Sequence, residues 1–520
     1  PAPPRPPGEP LIGHLRVVPA EHPELQYTRW GKDYGSDVLH LSVLGRSIVV
    51  LNSVEAARDL LDKRGANYAD RPRFVLFEVM GWGVTLTFLR WSPRFKLHRK
   101  MLQQSFTPTA CRAYRPLQTD EARRAARAIL QSPHRWAVLL RHFSTAVVLR
   151  IGFGIAIQDR DDPYVQMAID VEEATGEGGV PGASLVDLFP LLRHLPALGG
   201  LLAPLAHARR TKPAIQQLHD APWAAVEPSI RAAKGHDDTD THTDTHTDAH
   251  TNTHTHTHTH THTHTHTHTH THTPSFVHTH FGRYLDNEAA GRANAATVAD
   301  IKGAAGAVSI AGGNTTWSTI VVCILNLVLH PDVQARARAE VLAAVGVDAD
   351  GAALRLPTFD DRPRLPWLDA VIAETTRWMP LSPLGVPHAA LAEDSYRGLR
   401  IPAGATVFAN AWAMSRDARH YRDADAFQPE RYAERGEPLP DGPFGFGRRV
   451  CPGQHLALAG VYIMVATLLA TVHLRCPLDA DGNEVRPRVA FSNGLSSVPD
   501  SFECRITPLS KRSMELLEGV

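Results

Sequence analysis

The spacing of apolar positions changes several times along the chain. Val38 to Val43 and Ser47 to Asn52 are short apolar-rich runs around Leu44-Gly45-Arg46, which predicts a β-hairpin. Ser53 stands where an N-cap belongs and predicts a helix through Asp62. Residues 101 to 155 read as largely helical, and Gly176 to Gly182 as a flexible break. Helical spacing returns with one long helix from about Val298 to His330 and another over Trp367 to Met379. A short sheet is expected near Ser395 to Val407, around the turn Ile401-Pro-Ala-Gly404. The longest apolar run, Leu456 to Val472, is about 17 residues long, at the lower limit for a membrane span.

Two segments have no apolar period. The chain opens on Pro-Ala-Pro-Pro-Arg-Pro-Pro-Gly-Glu-Pro, which favours an extended path. From Asp237 to Thr273 it is almost entirely Asp, Thr and His, in strict His-Thr alternation from His254. The alternation has a strand's period, but both residues are polar and neither face can be buried, so disorder is expected. An expanded dinucleotide repeat or a retained intron would encode such a tract; metal capture by imidazoles is the functional alternative.

Bulk composition narrows the field. With 520 residues and 43% hydrophobic content, the chain can bury a large core, and length alone suggests about three domains. Formal net charge is zero, so nothing in it points to nucleic acid. Five cysteines make a poor disulfide framework and fit a reducing compartment.

The chemistry concentrates in Phe444-Gly-Phe-Gly447-Arg-Arg449-Val-Cys451-Pro-Gly453. A cysteine that ligates iron must stay deprotonated, and backbone N–H groups aimed at the sulfur help it do so. Gly447 and Gly453 bracket Cys451 and let backbone come close. Arg449 is a fixed cation suited to a carboxylate, and Phe444 can shield the sulfur from water. The bland alternative is a glycine-rich turn with a buried structural cysteine. The segment resembles the haem-binding loop of the cytochrome P-450 family at Phe444, Gly447, Arg449, Cys451 and Gly453.

Further pieces follow the family's order. Glu374 and Arg377 lie three apart on one helix face, and Arg431 in Phe427-Gln-Pro-Glu-Arg-Tyr432 matches the arginine that joins them in a buried structural network. Ala311-Gly312-Gly313-Asn314-Thr315 resembles the family's oxygen-side helix segment, with glycines making room for a planar ligand and Thr315 turning its hydroxyl away from its helix. Asn314 departs from the usual Asp or Glu and cannot ionise, so proton delivery would run through Thr315 and water. Arg99 matches an arginine that reaches a haem propionate, while Phe95 replaces a tryptophan, so one N–H donor to a propionate is missing unless His98 or Trp91 substitutes. His388, after Pro387 and its extended path, resembles a further propionate partner.

The resemblance implies a mainly α fold with small β-sheets, haem lying between the long Thr315 helix and the Cys451 helix. One domain, 13–520, would be interrupted by the 237–273 insert at a variable surface loop. Residues 1–12 resemble the proline-rich hinge after an N-terminal membrane anchor. Leu456 to Val472 then reads as a buried helix beside the cofactor, not a membrane span. The implied cofactor is haem b with Cys451 as axial ligand, and Arg449, Arg99, His388, His98, Phe444, Gly447, Gly453, Ala311 and Gly312 around it. Cys451, Thr315 and Asn314 would carry the chemistry. The implied reaction is hydroxylation of a small, mostly apolar substrate by dioxygen. Electrons would come from NADPH-cytochrome P-450 reductase, with cytochrome b5 as a second donor, on the cytoplasmic face of the endoplasmic reticulum. The local motifs look most like fungal members acting on natural products or xenobiotics. Alternatives are a haem-thiolate isomerase, dehydratase or peroxide user, which Asn314 motivates, or an inactive haem-binding product, which the insert motivates. By analogy, Phe74–Trp91, Gly176–Leu205, Leu381–Val386 and Asn493–Val498 would line the pocket.

Overall fold

Leu44 and Gly45, both at positive φ (49° and 78°), make the tight turn that joins β1 (Val38–Val43) to β2 (Arg46–Leu51). The coordinates are a computed structural model and describe residues 4–19, 21–157, 161–177, 184–195, 202–235 and 275–519. The Asp/Thr/His segment and residues 178–182 of the expected flexible break lie outside the described residues.

Ser53 caps α1 (Val54–Ala57), its Oγ accepting from the Ala56 N–H at 3.3 Å. The helix does run past Asp62, but it widens into a π-turn over Arg58–Lys63. The sheet expected near Ser395 to Val407 is divided. Strands β3 (His388–Ala389), β4 (Asp394–Tyr396), β5 (Leu399–Ile401) and β6 (Thr406–Ala409) follow one another in sequence, but only β4 and β5 pair as a separate hairpin. The turn after Ile401 sends β6 back to the first sheet, where it runs parallel to β2 and antiparallel to β3, giving the order β1-β2-β6-β3. Register was invisible to periodicity, since β6 finds its partner some 350 residues away.

The helices that matter for the site are α2 (Pro93–Ser105), α3 (Arg115–Gln131), α4 (Trp136–Phe153), α5 (Pro163–Glu177), α6 (Ala203–Ala233), α7 (Phe276–Ala289), α8 (Val298–Leu329), α9 (Pro366–Trp378) and α10 (Gln454–Thr471). A capping box starts α8: Thr297 Oγ1 accepts from the Asp300 N–H, and Asp300 Oδ2 accepts from the Thr297 N–H. Helices α8 and α10 are apolar on nearly every side, as helices buried in a large core must be. Among the described residues, three helical stretches are long and apolar enough to cross a membrane by length and composition, α10 one of them. Its most apolar window is 78% buried inside the protein, which accords with packing beside the site. The largest core cluster draws residues from Leu86 to Leu517. Lys234, just past α6, bonds Asp286 of α7 at 2.8 Å, so the chain leaves and re-enters beside the same helix pair.

Candidate active site

A cavity of about 770 Å³ opens between α8 and the loop that precedes α10. Cys451, Phe444, Gly453, Arg449, Ala311 and Thr315 all face it. The Cys451 N–H donates to the Phe444 carbonyl at 2.8 Å and closes the loop on itself. Burial pushes the Cys451 thiol up, opposed by the Gly453 and Gln454 N–H groups and by the Arg99 cation. Those donors already face the sulfur, so a cation bound to it would complete the stabilisation of a thiolate.

The two loop glycines have different tasks. A Cβ on Gly453 would sit 3.9 Å from Cys451 Sγ, an ordinary contact. A Cβ on Gly447 would lie 1.9 Å from the Leu61 carbonyl, and its φ of +57° is strained for other residues. The Gly447 N–H donates to Asp62 Oδ1 at 2.5 Å. Gly447 therefore clamps the loop onto the π-turn, and its close approach is to Leu61, not to the sulfur.

Beside the cysteine lie guanidinium groups without a paired carboxylate. Arg449 donates to the Ala69 and Leu89 carbonyls at 2.7 and 2.9 Å, rests on the Phe95 ring at 3.6 Å, and keeps Nη2 buried without a partner. Arg99 donates to the Val450 carbonyl at 2.5 Å and its Nε is likewise unpartnered. Arg71 donates to the Val386 and Pro387 carbonyls. Burial lowers the Arg449 guanidinium to about 9, with Asp70 opposing and Arg99 adding to the shift. Burial lowers Arg71 too, and Arg449 adds to it. His388 faces the same place with Nδ1 2.8 Å from the Tyr68 carbonyl, held neutral by burial and by Arg71. Neutral carbonyls leave this cluster with uncompensated positive charge, the setting an anionic carboxylate would satisfy. Among the residues of this chain, these fit the carboxylates of a haem.

Several expectations need correction. His98 does not reach the cavity: its Nε2 lies 3.1 Å from Asp300 Oδ1, where Arg94 also bonds, so it ties α2 to the start of α8. Trp91 gives no N–H to the cluster either; its ring carries Lys96 at 5.0 Å and Arg448 at 5.5 Å. Phe95 in the tryptophan's place supplies a ring face to Arg449 instead of a donor. Gly312 borders the cavity, but a Cβ there would meet Val148 of α4 at 2.7 Å, so its smallness serves helix packing. Thr315 faces the cavity, yet its hydroxyl donates to the Ala311 carbonyl at 2.7 Å and does not turn from its own helix. Asn314 accepts from Arg141 at 3.5 Å. Of Gly176–Leu205, only Gly176 lines the cavity among the described residues; Ile169 and Glu172 of α5 take that wall.

Away from the cavity, Glu374 meets both arginines. Arg377 bonds it through Nε and Nη2, each at 2.7 Å, and Arg431 through Nε at 3.0 Å, all fully buried. Glu437 and Tyr432, which the sequence did not single out, complete the set.

The comparisons with known proteins agree with this architecture. The family model described as Cytochrome P-450 matches residues 3–212 and 238–496. The chain belongs to the cytochrome P-450 family. A cytochrome P-450 monooxygenase of Armillaria gallica is 33% identical over 99% of this chain and 94% of its own length. A tryptamine 4-monooxygenase of Psilocybe cyanescens is 31% identical over 100% and 94%. A zebra fish cytochrome P-450 solved with progesterone aligns with a TM-score of 0.70 at 24% identity, covering 94% of this chain and 99% of that one. The chain is accordingly a monooxygenase, and the group that its fold holds is haem on a cysteine thiolate.

Arg71 lines the cavity and was not singled out in the sequence. The available signal was Asp70-Arg71-Pro72, a charged pair held in an extended path by the proline. Two of its partners, Val386 and Pro387, sit more than 300 residues away, and the third, Thr87, is 16 residues on, so none leaves a local pattern.

Proposed function

We propose that this monooxygenase hydroxylates a small, mostly apolar organic substrate, using dioxygen and electrons from NADPH delivered by NADPH-cytochrome P-450 reductase. The observation that carries this reading is one cavity in which Cys451 lies beside Arg71, Arg99 and Arg449, under a wall of Leu86, Phe88, Ile169 and Val386. Cys451 would ligate the iron of haem b, and Arg449, Arg99, Arg71 and His388 would hold its propionates. Haem, when bound, supplies the activation of dioxygen. The chain's own residues do the rest. Phe444 excludes water from the sulfur side. The apolar wall positions a substrate C–H against Ala311 and Thr315. The Thr315 hydroxyl, once released from the Ala311 carbonyl, holds a proton at Oγ1 for the oxygen side.

Electron delivery fits the outer face of the Cys451 loop. Lys96 and Arg448 are exposed there, both against the Trp91 ring, and Lys100 follows on α2. Such a basic rim steers an acidic reductase surface. A place on the cytoplasmic face of the endoplasmic reticulum is part of this reading. The deciding experiment reconstitutes the haem-loaded protein with a reductase and NADPH under oxygen-18 gas and screens apolar aromatic and terpenoid compounds. A product one labelled oxygen heavier than substrate is expected. Products that carry no label would overturn the reading.

A further inference from the structure

Asn314 stands where the family usually carries an acid, and the structure shows a carboxylate close by on a different helix. Arg141 of α4 is buried, its guanidinium 3.6 Å from the Trp317 ring. Its Nη1 reaches Asn314 Oδ1 at 3.5 Å, and the same nitrogen is ion-paired with Glu172 of α5. Glu172, Arg141, Asn314 and Thr315 all line the same cavity. One turn along α4, Thr145 Oγ1 is buried without a hydrogen-bond partner, next to Gly313, whose missing Cβ would lie 3.7 Å from it. Arg141 thus meets an uncharged amide on the long helix and its counter-ion on the cavity wall.

We infer that Glu172 is the proton-relay residue of this chain, the acid moved from the long helix to α5 and held in place by Arg141. The inference rests on the monooxygenase reading above. The overall reaction takes one substrate C–H, one dioxygen, one NADPH and one proton to one C–OH, one water and NADP⁺. Two electrons arrive from NADPH, and the water that leaves takes up two protons. Glu172 takes a proton from solvent and passes it through cavity water to the Thr315 side, ending in its starting state. Asn314 positions Arg141 and carries no proton.

Peroxide gives a clean control, because hydrogen peroxide plus C–H becomes C–OH plus water with no added proton or electron. In the haem-loaded holoenzyme, Glu172→Gln should slow NADPH-driven product formation by about tenfold or more. The same variant should lose a clearly smaller fraction of its peroxide-driven formation than of its NADPH-driven formation and raise the solvent deuterium isotope effect on the NADPH-driven rate. Its carbon monoxide band and the spectral shift on substrate binding should match the parent. Adding Asn314→Asp to Glu172→Gln re-pairs Arg141 and should restore the NADPH-driven rate. An unchanged NADPH-driven rate in Glu172→Gln overturns the inference. An equal fall by both routes makes Glu172 a structural counter-ion and also overturns it. Where Glu172→Gln fails to load haem, the double variant decides: an inactive but haem-loaded double variant overturns the relay. A parent protein that forms no product by either route overturns the monooxygenase reading itself, which is a distinct result.

Discussion

Glu374 accepts from Arg377, Arg431, Tyr432 and the Gln428 N–H, in a place that no solvent reaches. Arg431 has Glu437 as a second partner at 3.0 Å, so the buried charges balance. A balanced buried set contributes little net stability, but removing one member leaves the others uncompensated. Glu374→Ala should therefore lower unfolding stability by about 3–5 kcal/mol, read from the urea midpoint of the haem-loaded protein. A midpoint within error of the parent would show that the network is dispensable. Glu374, Arg377 and Arg431 were legible because they stand in family motifs. Glu437, Arg71 and Glu172 were not, because each meets its partner through tertiary contact alone. The same holds for His98, whose partner Asp300 lies across the fold and draws it from the cavity.

At the scale of elements, α8 shows how helical period and packing differ as sources of information. Its apolar spacing and length were readable, and it does run over Val298–Leu329. The reason for its glycines was not readable, because that reason sits on other helices. Gly312 admits Val148 of α4, and Gly306 admits His219 of α6, whose Nδ1 would lie 2.0 Å from a Cβ there. His219 is 5% exposed, with Trp82 at 6.3 Å between ring centres and Thr85 Oγ1 at 3.5 Å. Burial lowers it from 6.5 to about 4, with Asp220 opposing and Lys302 adding to the shift. Its folded value is depressed, so between pH 6.5 and 4 the unfolded chain binds more protons. The stability is fully present above pH 6.5 and is lost as pH falls towards 4, by up to about 3 kcal/mol. Urea unfolding at pH 7 and pH 5 should show a steeper loss in the parent than in His219→Gln. Equal losses in both would remove His219 from the account of α6–α8 packing.

Across the whole molecule, residues from Arg71 to Cys451 converge on one cavity although they are spread over most of the chain. The family motifs made the catalytic loop and the mainly helical fold legible, and the fold follows them. The β-sheet order and the wall contributed by α5 came only with the structure, since both depend on pairings of distant segments. Cys451, set among buried arginines, is placed to hold a haem through its thiolate. The most direct measurement is the absorption spectrum of the purified, dithionite-reduced protein under carbon monoxide, beside Cys451→Ala. A strongly red-shifted Soret band is expected in the parent and none in the variant. A parent band at the position of histidine-ligated haem, or a red-shifted band that survives in Cys451→Ala, would contradict it.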